Sequence, residues 1–592
     1  MRHAVVAAMF ILCAVPAGAQ SPTTPSGVHE TVVVTGSVSP DALGSLGRTI
    51  VLLTREDLAR LPLSTPIDAF RLVPSLEVRE RGPRGVQADF AIRGAAFGQA
   101  LVLVNGARLN DAQSGHHNGD LPVSLLDVER VEVLLGGGAS IHGADAVGGA
   151  VNVITRRAGP RFAADVAVGQ HDLVEAAASV SLAARPVAQV FSGEFDQSSG
   201  FAPDRDHHVA LARYQGTVGS HSTLSAAYLD KEFGAAGFYG PSPSREWTDQ
   251  TLVTGEHRIA AGSGALLSFD GAYRSHGDRF VYDWRRPQLS DNRHRTHAVS
   301  GGGRWRTPLA PSTQLSAGAS AGRDAIESSA LGVRAFSRVG GVVELRQAIG
   351  SRVVVQPGLR VDRYSTFGTA WSPAVAASGW VTPAVRWRTA TGRSFRIPTY
   401  TELYYQDPNH LASADLAPER AWSADGGVDA FAGPWTASLT AYGRWDEDVI
   451  DWVRPVSTER WRTTNIRDVR TRGVEAGLSS RSGPGLWTLR YTAQRASAPA
   501  LDLLSKYVLD YASHALSLSG ATTWRGIDLG SHVRFTRRAD RRDYWVADLR
   551  VARGIGRAQV YVDVANAFDE AYQEVQGVDM PGRWVKVGLR LR

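Results

Sequence analysis

The sequence predicts an all-β membrane barrel of about 22 antiparallel strands that encloses an N-terminal mixed α/β domain. Three observations lead there. The roughly 430 residues after Gly159 and Pro160 repeat a period-two alternation between turns rich in Gly, Ser, Asp and Pro. In the stretch from Trp435 to Trp445 (WTASLTAYGRW), the odd positions are mostly apolar and most even ones polar. Mean hydropathy is only −0.16, and beyond the first residues no apolar run is long enough for a spanning helix. Barrel strands explain that pairing, because lipid-facing and lumen-facing residues average out. Length supplies the strand count: at about 20 residues per strand and connection the tract holds roughly 22 strands, a barrel wide enough to enclose a folded domain. A large soluble β-protein would alternate in the same way; size favours the barrel.

Taken in order, the chain opens with Arg2 and His3, an apolar run from Ala4 to Val15, and Ala17, Gly18 and Ala19. This is the pattern of a secretory signal over residues 1–19, with the mature chain expected from Gln20. The single cysteine, Cys13, falls inside it, so neither a disulfide nor a cysteine metal site is expected in the rest. Residues 20–39 read as a flexible Pro/Ser/Thr terminus carrying a β-prone run, Glu30, Thr31, Val32, Val33, Val34, Thr35 and Gly36. Such a run can add as a strand to the sheet edge of a partner. It also reads as the first strand of the domain that follows, and both readings can hold at different moments.

Residues 40–158 form the N-terminal domain. Thr54 to Leu58 reads as an N-capped helix start, with an apolar pattern continuing through Ile67, Phe70 and Val73 to Pro74. From Leu101 to Arg157, short apolar strands (LVLVN, VERVEVLL, GAVNVIT) are separated by a His-bearing polar loop and a glycine-dense turn. Residues 159–592 form the barrel. The formal charge of +6 is modest for 592 residues and carries no functional weight; no nucleic-acid partner is expected.

The ordered set Phe90 to Gly94 (FAIRG), LVLVNGARL and VERVEVLLGGGASIHGADAVGGAVNVIT resembles the plug of TonB-dependent outer-membrane receptors, with Asn105 where that family usually has Asp. Later marks follow in the family's order: Phe395 to Thr399 (FRIPT), Glu402 to Tyr404, Leu416 to Glu419, Gly473 to Glu475, and Asn566 to Asp569 with Tyr572. The resemblance implies a plugged outer-membrane barrel, monomeric and lipid-embedded, that imports a scarce large ligand using energy delivered by TonB. Glu30 to Thr35 would be its Ton box. Such barrels usually end on an aromatic residue, whereas Val585, Val587, Leu589 and Leu591 alternate up to a terminal Arg592.

The same resemblance places the polar loop at the outward apex of the plug, which makes Asn110, Asp111, Gln113, Ser114, His116, His117 and Asn118 candidate ligand contacts. Dense donors and acceptors suit a large polar ligand, and equally suit hydrogen bonding within the plug or to the wall. Tyr239, Arg245 and Trp247, in a polar-aromatic stretch, are candidate loop contacts, although aromatics of this kind also form interfacial girdles. The resemblance is strongest to the cobalamin transporter branch, which implies a corrinoid. Haem is the alternative, with His116 or His117 as one iron ligand and His410 as the other, and a ferric siderophore is the third. A non-transporting binding or adhesion barrel is the reading from another class.

No cofactor, catalytic residue or resident metal is expected. Gly318, Ser320 and Gly322 fit a serine-hydrolase elbow, but they sit within strand-like alternation. Asp204, Asp206, His207 and His208 fall short of a calcium site and read as a solvated loop.

Overall fold

The computed structural model describes residues 31–159, 161–498, 503–539 and 541–591. The expected signal, the linker with Glu30, and Pro160 and Arg592 lie outside these described residues.

Alternation in the long C-terminal tract resolves into a closed barrel of 22 antiparallel strands, running from Phe162–Gly169 to Trp584–Leu591 and closed by pairing these two, with Val166 opposite Leu589. On the strand Trp435–Glu447 the odd positions Trp435, Leu439 and Trp445 are large, apolar and about half exposed, at 48%, 61% and 51%. The even positions Thr440, Tyr442, Arg444 and Asp446 are buried in the lumen. A soluble sandwich would bury the apolar face against a second sheet; here it lies on the outer surface, as lipid contact requires.

At one end of the barrel the strands are joined by tight turns, such as 185–186 and 525–526. At the other the connections are long, such as 397–418 and 448–468. Short turns mark the periplasmic rim and long loops the outer face. Among the loops, His410–Leu411, Val449–Arg454, Trp461–Ile466 and Leu504–Ser505 form a separate four-stranded sheet above the barrel.

Inside lies a five-stranded mixed sheet in the order Thr49–Thr54, Val128–Leu135, Gly149–Thr155, Ala100–Val104 and Ala107–Arg108, with a hairpin of Leu76–Glu80 and Ala88–Ile92 beside it. Val102, Val131, Val133, Val151 and Val153 are fully buried at its centre, and Phe70 meets Phe90 edge-on at 5.3 Å. The helix expected from Thr54 to Val73 is instead two short helices, Arg55–Ala59 and Pro66–Phe70. Pro62 cannot continue the first, and Pro66 starts the second at its first turn. Thr54 with Asp57, and Thr65 with Asp68, close a capping box on each.

The glycine-dense turn sets how closely this domain meets itself and the wall. A Cβ on Gly149, at φ 149°, would stand 2.1 Å from the Leu134 carbonyl oxygen, and one on Gly136, at φ 98°, would stand 2.9 Å from both Arg93 and Asp425. Arg93 is the main anchor there: its guanidinium pairs with Glu475 at 2.8 Å and Asp425 at 3.2 Å, and lies 4.4 Å from the Tyr442 ring centroid. Arg48 with Glu344 adds a buried pair between plug and wall, and Arg71 with Glu574 one between the plug and the hairpin of the outer connection 566–583. Gly318 to Gly322 lie within the regular strand Thr313–Ser328 and make no strand-to-helix elbow.

Candidate functional site: the outward apex and the N-terminal latch

The apex is the loop from Leu109 to Leu121, which carries one 3-10 turn, Gly115–His117, begun by Ser114 as its N-cap. Asn110 fixes the base of the loop, accepting from the Val102 amide at 2.8 Å and donating to the Ala100 carbonyl at 3.0 Å. Asn118 accepts from the Asp111 amide at 3.0 Å. Asp111 in turn accepts from Arg274 at 2.6 Å and Thr296 at 2.7 Å, and Gln113 donates to Asp278 at 2.7 Å. Asn110, Asp111, Gln113, Ser114, His117 and Asn118 therefore spend polar groups on internal partners in this conformation. A loop dense in donors and acceptors, set against a charged lumen wall, satisfies itself there first.

The two histidines have different surroundings. His117 is buried beside the ring of His276 at 4.6 Å, with Nε2 3.3 Å from Asp278. Burial disfavours its charge, yet the Asp278 carboxylate, with Glu246 and Asp120 behind it, outweighs this and raises its pKa to about 9. His116 stacks on Phe97 at 4.6 Å and hydrogen-bonds Asp89 at 2.7 Å through Nδ1. Its pKa is lowered, first by burial, which the Asp89 carboxylate opposes and nearby Arg81 reinforces.

Around His116 the rings of Tyr239 and Tyr507 stand at 6.2 and 6.1 Å, and the Tyr239 hydroxyl accepts from Gln87 at 2.7 Å. Tyr239 as a residue is 42% exposed, so the aromatic group reaches the surface there. His410 lies in the loop sheet, its Nδ1 3.0 Å from Asp407 and its Nε2 3.1 Å from Lys506. His116 and His410 thus flank the same loop, one against Tyr507 and the other against Lys506. Phe97, Lys506 and Tyr507 escaped sequence reading, because nothing local in their segments marks them; barrel closure brings them together.

Arg245 and Trp247 lie on a barrel strand, not in the expected loop, and face away from the lumen. On the strand Arg245–Ala260 the even positions Glu246, Thr248 and Gln250 are buried in the lumen, so period two turns Arg245 and Trp247 to the outer side. There Arg245 pairs with Asp206 and Glu232, and Arg279 lies 4.8 Å from the Trp247 ring centroid. These two do not line the lumen. The group Asp204, Asp206, His207 and His208 is dispersed: Asp204 bonds Trp284 and Arg285, and His207 bonds Asp196.

At the inner end, the segment expected to be flexible through residue 39 is folded from Thr31 onward. Val32–Val33 pairs with Asp41–Ala42. The amides of Val34 and Thr35 donate to one Glu132 carboxylate oxygen at 2.9 Å each, and the Thr35 hydroxyl donates to the same atom at 2.6 Å. His142 Nε2 reaches the Thr35 carbonyl at 3.0 Å, and Arg48 holds the Gly36 carbonyl at 2.9 Å. Side chains of the plug sheet therefore fasten the segment as a latch. Elsewhere a cavity of about 390 Å³ lies between plug and wall, lined among others by Leu58, Leu63, Ser124, Glu194, Tyr561 and Lys586.

Comparison with known proteins gives two family matches in the same chain. Residues 43–150 match the TonB-dependent Receptor Plug Domain, and residues 176–567 match the family described as TonB dependent receptor-like, beta-barrel. A Vitamin B12 transporter BtuB from Vibrio vulnificus is 23% identical over 474 residues, covering 76% of this chain and 75% of that protein. Among solved structures, the siderophore receptor PirA from Acinetobacter baumannii superposes with a TM-score of 0.75 at 16% identity, over 92% of this chain and 98% of that one. The FrpB iron transporter from Neisseria meningitidis gives 0.75 at 14% identity, over 92% and 99%. At these identities the superpositions carry the fold alone.

Proposed function

This chain belongs to the TonB-dependent receptor family and is an outer-membrane, multi-pass β-barrel; from that premise we propose that it imports a large, scarce ligand, which binds at the outer face and enters when TonB engages residues 30–35. The observation that carries the proposal is the latch. A β-prone segment at the periplasmic side is held by side chains of the plug, Glu132 on its sheet and His142 on a short helix, so pulling it free acts directly on the plug. Free energy comes from the partner, and the protein makes no covalent change in its ligand. The cavity between plug and wall is where the first opening for passage would form.

For the ligand we propose a corrinoid. The relationship to a B12 transporter supports this, as does the aromatic group of Phe97, His116, Tyr239 and Tyr507, whose rings suit a broad planar macrocycle. Haem is the second reading, favoured by the placement of His116 and His410 on either side of one loop. Against it, both ring nitrogens of His410 are already engaged. A ferric siderophore is the third.

Titration of the detergent-folded protein with cyanocobalamin and with haemin, followed by ligand absorbance, tests the assignment. The corrinoid reading predicts saturable cobalamin binding that survives His410→Ala and weakens at least tenfold in Tyr239→Ala. A haemin Soret shift lost in both His116→Ala and His410→Ala would move the assignment to haem.

A further inference from the structure

Beneath the apex, the barrel strands Arg245–Ala260, Leu266–Val281 and Asp291–Ala310 turn a run of titratable side chains inward. Thr248 stands opposite Asp278, and Asp278 opposite His294; the next inward row is Gln250, His276 and Thr296. His117 of the plug enters this row from above and meets two sets of ligand-type atoms. With Asp120 and His276, or with Glu246 and Asp278, its donor atoms all lie within 4.8 Å of one another.

The two sets differ in what their atoms already hold. In the first, Asp120 is paired with Lys231 through one oxygen and with His276 Nε2 through the other, at 2.7 Å for the latter. Both Asp120 oxygens are thus engaged and the Lys231 cation already balances that carboxylate, leaving only His276 Nδ1 without a hydrogen-bond partner. In the second, Glu246 Oε2 and Asp278 Oδ1 are buried with no hydrogen-bond partner, and so are Thr248 Oγ1 and Gln113 Oε1 beside them. Glu246 is 3% exposed and Asp278 7%, and among the described residues no Lys or Arg forms an ion pair with either. Buried carboxylate oxygens without a partner are costly, and such groups are normally paired or bound to metal.

From this geometry we infer that His117, Glu246 and Asp278 bind one divalent transition-metal ion, of the zinc class, that ties the plug apex to the barrel wall. One imidazole and two carboxylates form a nitrogen and oxygen set that suits zinc better than the all-oxygen preference of calcium or magnesium. The separation fits as well. Two ligands about 2.1 Å from a tetrahedral ion stand about 3.4 Å apart, and His117 Nε2 lies 3.3 Å from Asp278 Oδ2. A dication also offers a partner to the two carboxylates that lack a Lys or Arg. Gln113 donates to that same Asp278 Oδ2 at 2.7 Å and steadies the carboxylate, whose Oδ1 remains the oxygen without a partner. The inference stands apart from the identity of the transported ligand.

The test is equilibrium dialysis of the folded, metal-stripped barrel against zinc chloride, with bound metal counted by mass spectrometry and its coordination read by X-ray absorption. The expected result is one zinc per chain, bound through nitrogen and oxygen with one imidazole, and affinity reduced at least tenfold in His117→Ala and in Asp278→Asn. Because those variants remove contacts the plug uses, Glu246→Gln is the second probe: its Oε2 bonds nothing, so the fold stays and zinc affinity still falls at least tenfold. Less than one zinc per chain in the wild type overturns the inference. So does zinc binding that is unchanged in Glu246→Gln but lost in His276→Gln, which would place the ion in the other set.

Discussion

Glu132 shows how much one side chain does at the inner end of the plug. It is fully buried, and a single oxygen collects two amides and a hydroxyl from Val34 and Thr35. Hydrogen bonds to an ionised group contribute roughly 1.5–3 kcal/mol each when fully formed. Glu132→Gln keeps the shape and removes the charge, so the segment should loosen by about 1–3 kcal/mol. A nitroxide at Val32, which is half exposed, would report it: immobile in the parent, with a mobile population in the variant. His142 adds a pH dependence. Burial, partly offset by the Thr35 carbonyl and reinforced by Arg304, Arg360 and Arg48, lowers its pKa from 6.5 to about 4. The folded plug, which presents this ring to the Thr35 carbonyl, therefore prefers it neutral. The contribution is fully present above pH 6.5 and is lost as pH falls toward 4, by up to about tenfold per pH unit. His142→Gln should flatten that dependence in the same nitroxide assay. None of these partners was legible in the sequence, since Glu132 lies about a hundred residues from the segment it holds and only the folded sheet brings them together.

Elements were more legible than contacts. Period two gave the strands and their faces, and the strand Trp435–Glu447 has its odd positions outward as the alternation requires. The same rule, applied to the strand Arg245–Ala260, would have sent Arg245 and Trp247 outside had the strand been recognised to begin at Arg245; composition alone made that stretch look like a loop over the apex. Pro62 and Pro66 divided a helix that apolar spacing had joined. The outer face makes its own prediction. Leu439, 61% exposed in the lipid-facing row, should not tolerate a charge: Leu439→Arg should cost about 2–4 kcal/mol near mid-membrane, read by urea unfolding in vesicles. The same change at neighbouring Thr440 would act in the lumen instead, where its hydroxyl accepts from Arg388 at 2.8 Å.

At the scale of the whole molecule, size and alternation pointed to a large barrel, while its plug was evident through glycine-dense, ordered motifs. How the two meet was not, because the joining pairs, such as Arg93 with Glu475, link residues hundreds of positions apart. Arg93→Ala should leave buried Glu475 and Asp425 uncompensated, cost about 3–5 kcal/mol and loosen the plug before the barrel, visible as early hydrogen exchange confined to the plug strands. In the mechanism proposed above, the latch couples TonB to the plug. Deleting residues 30–36 and measuring cyanocobalamin binding and uptake side by side, in cells with TonB intact, tests it most directly. The account predicts that binding at the cell surface is kept and uptake is abolished. Uptake equal to that of the full-length receptor would contradict it.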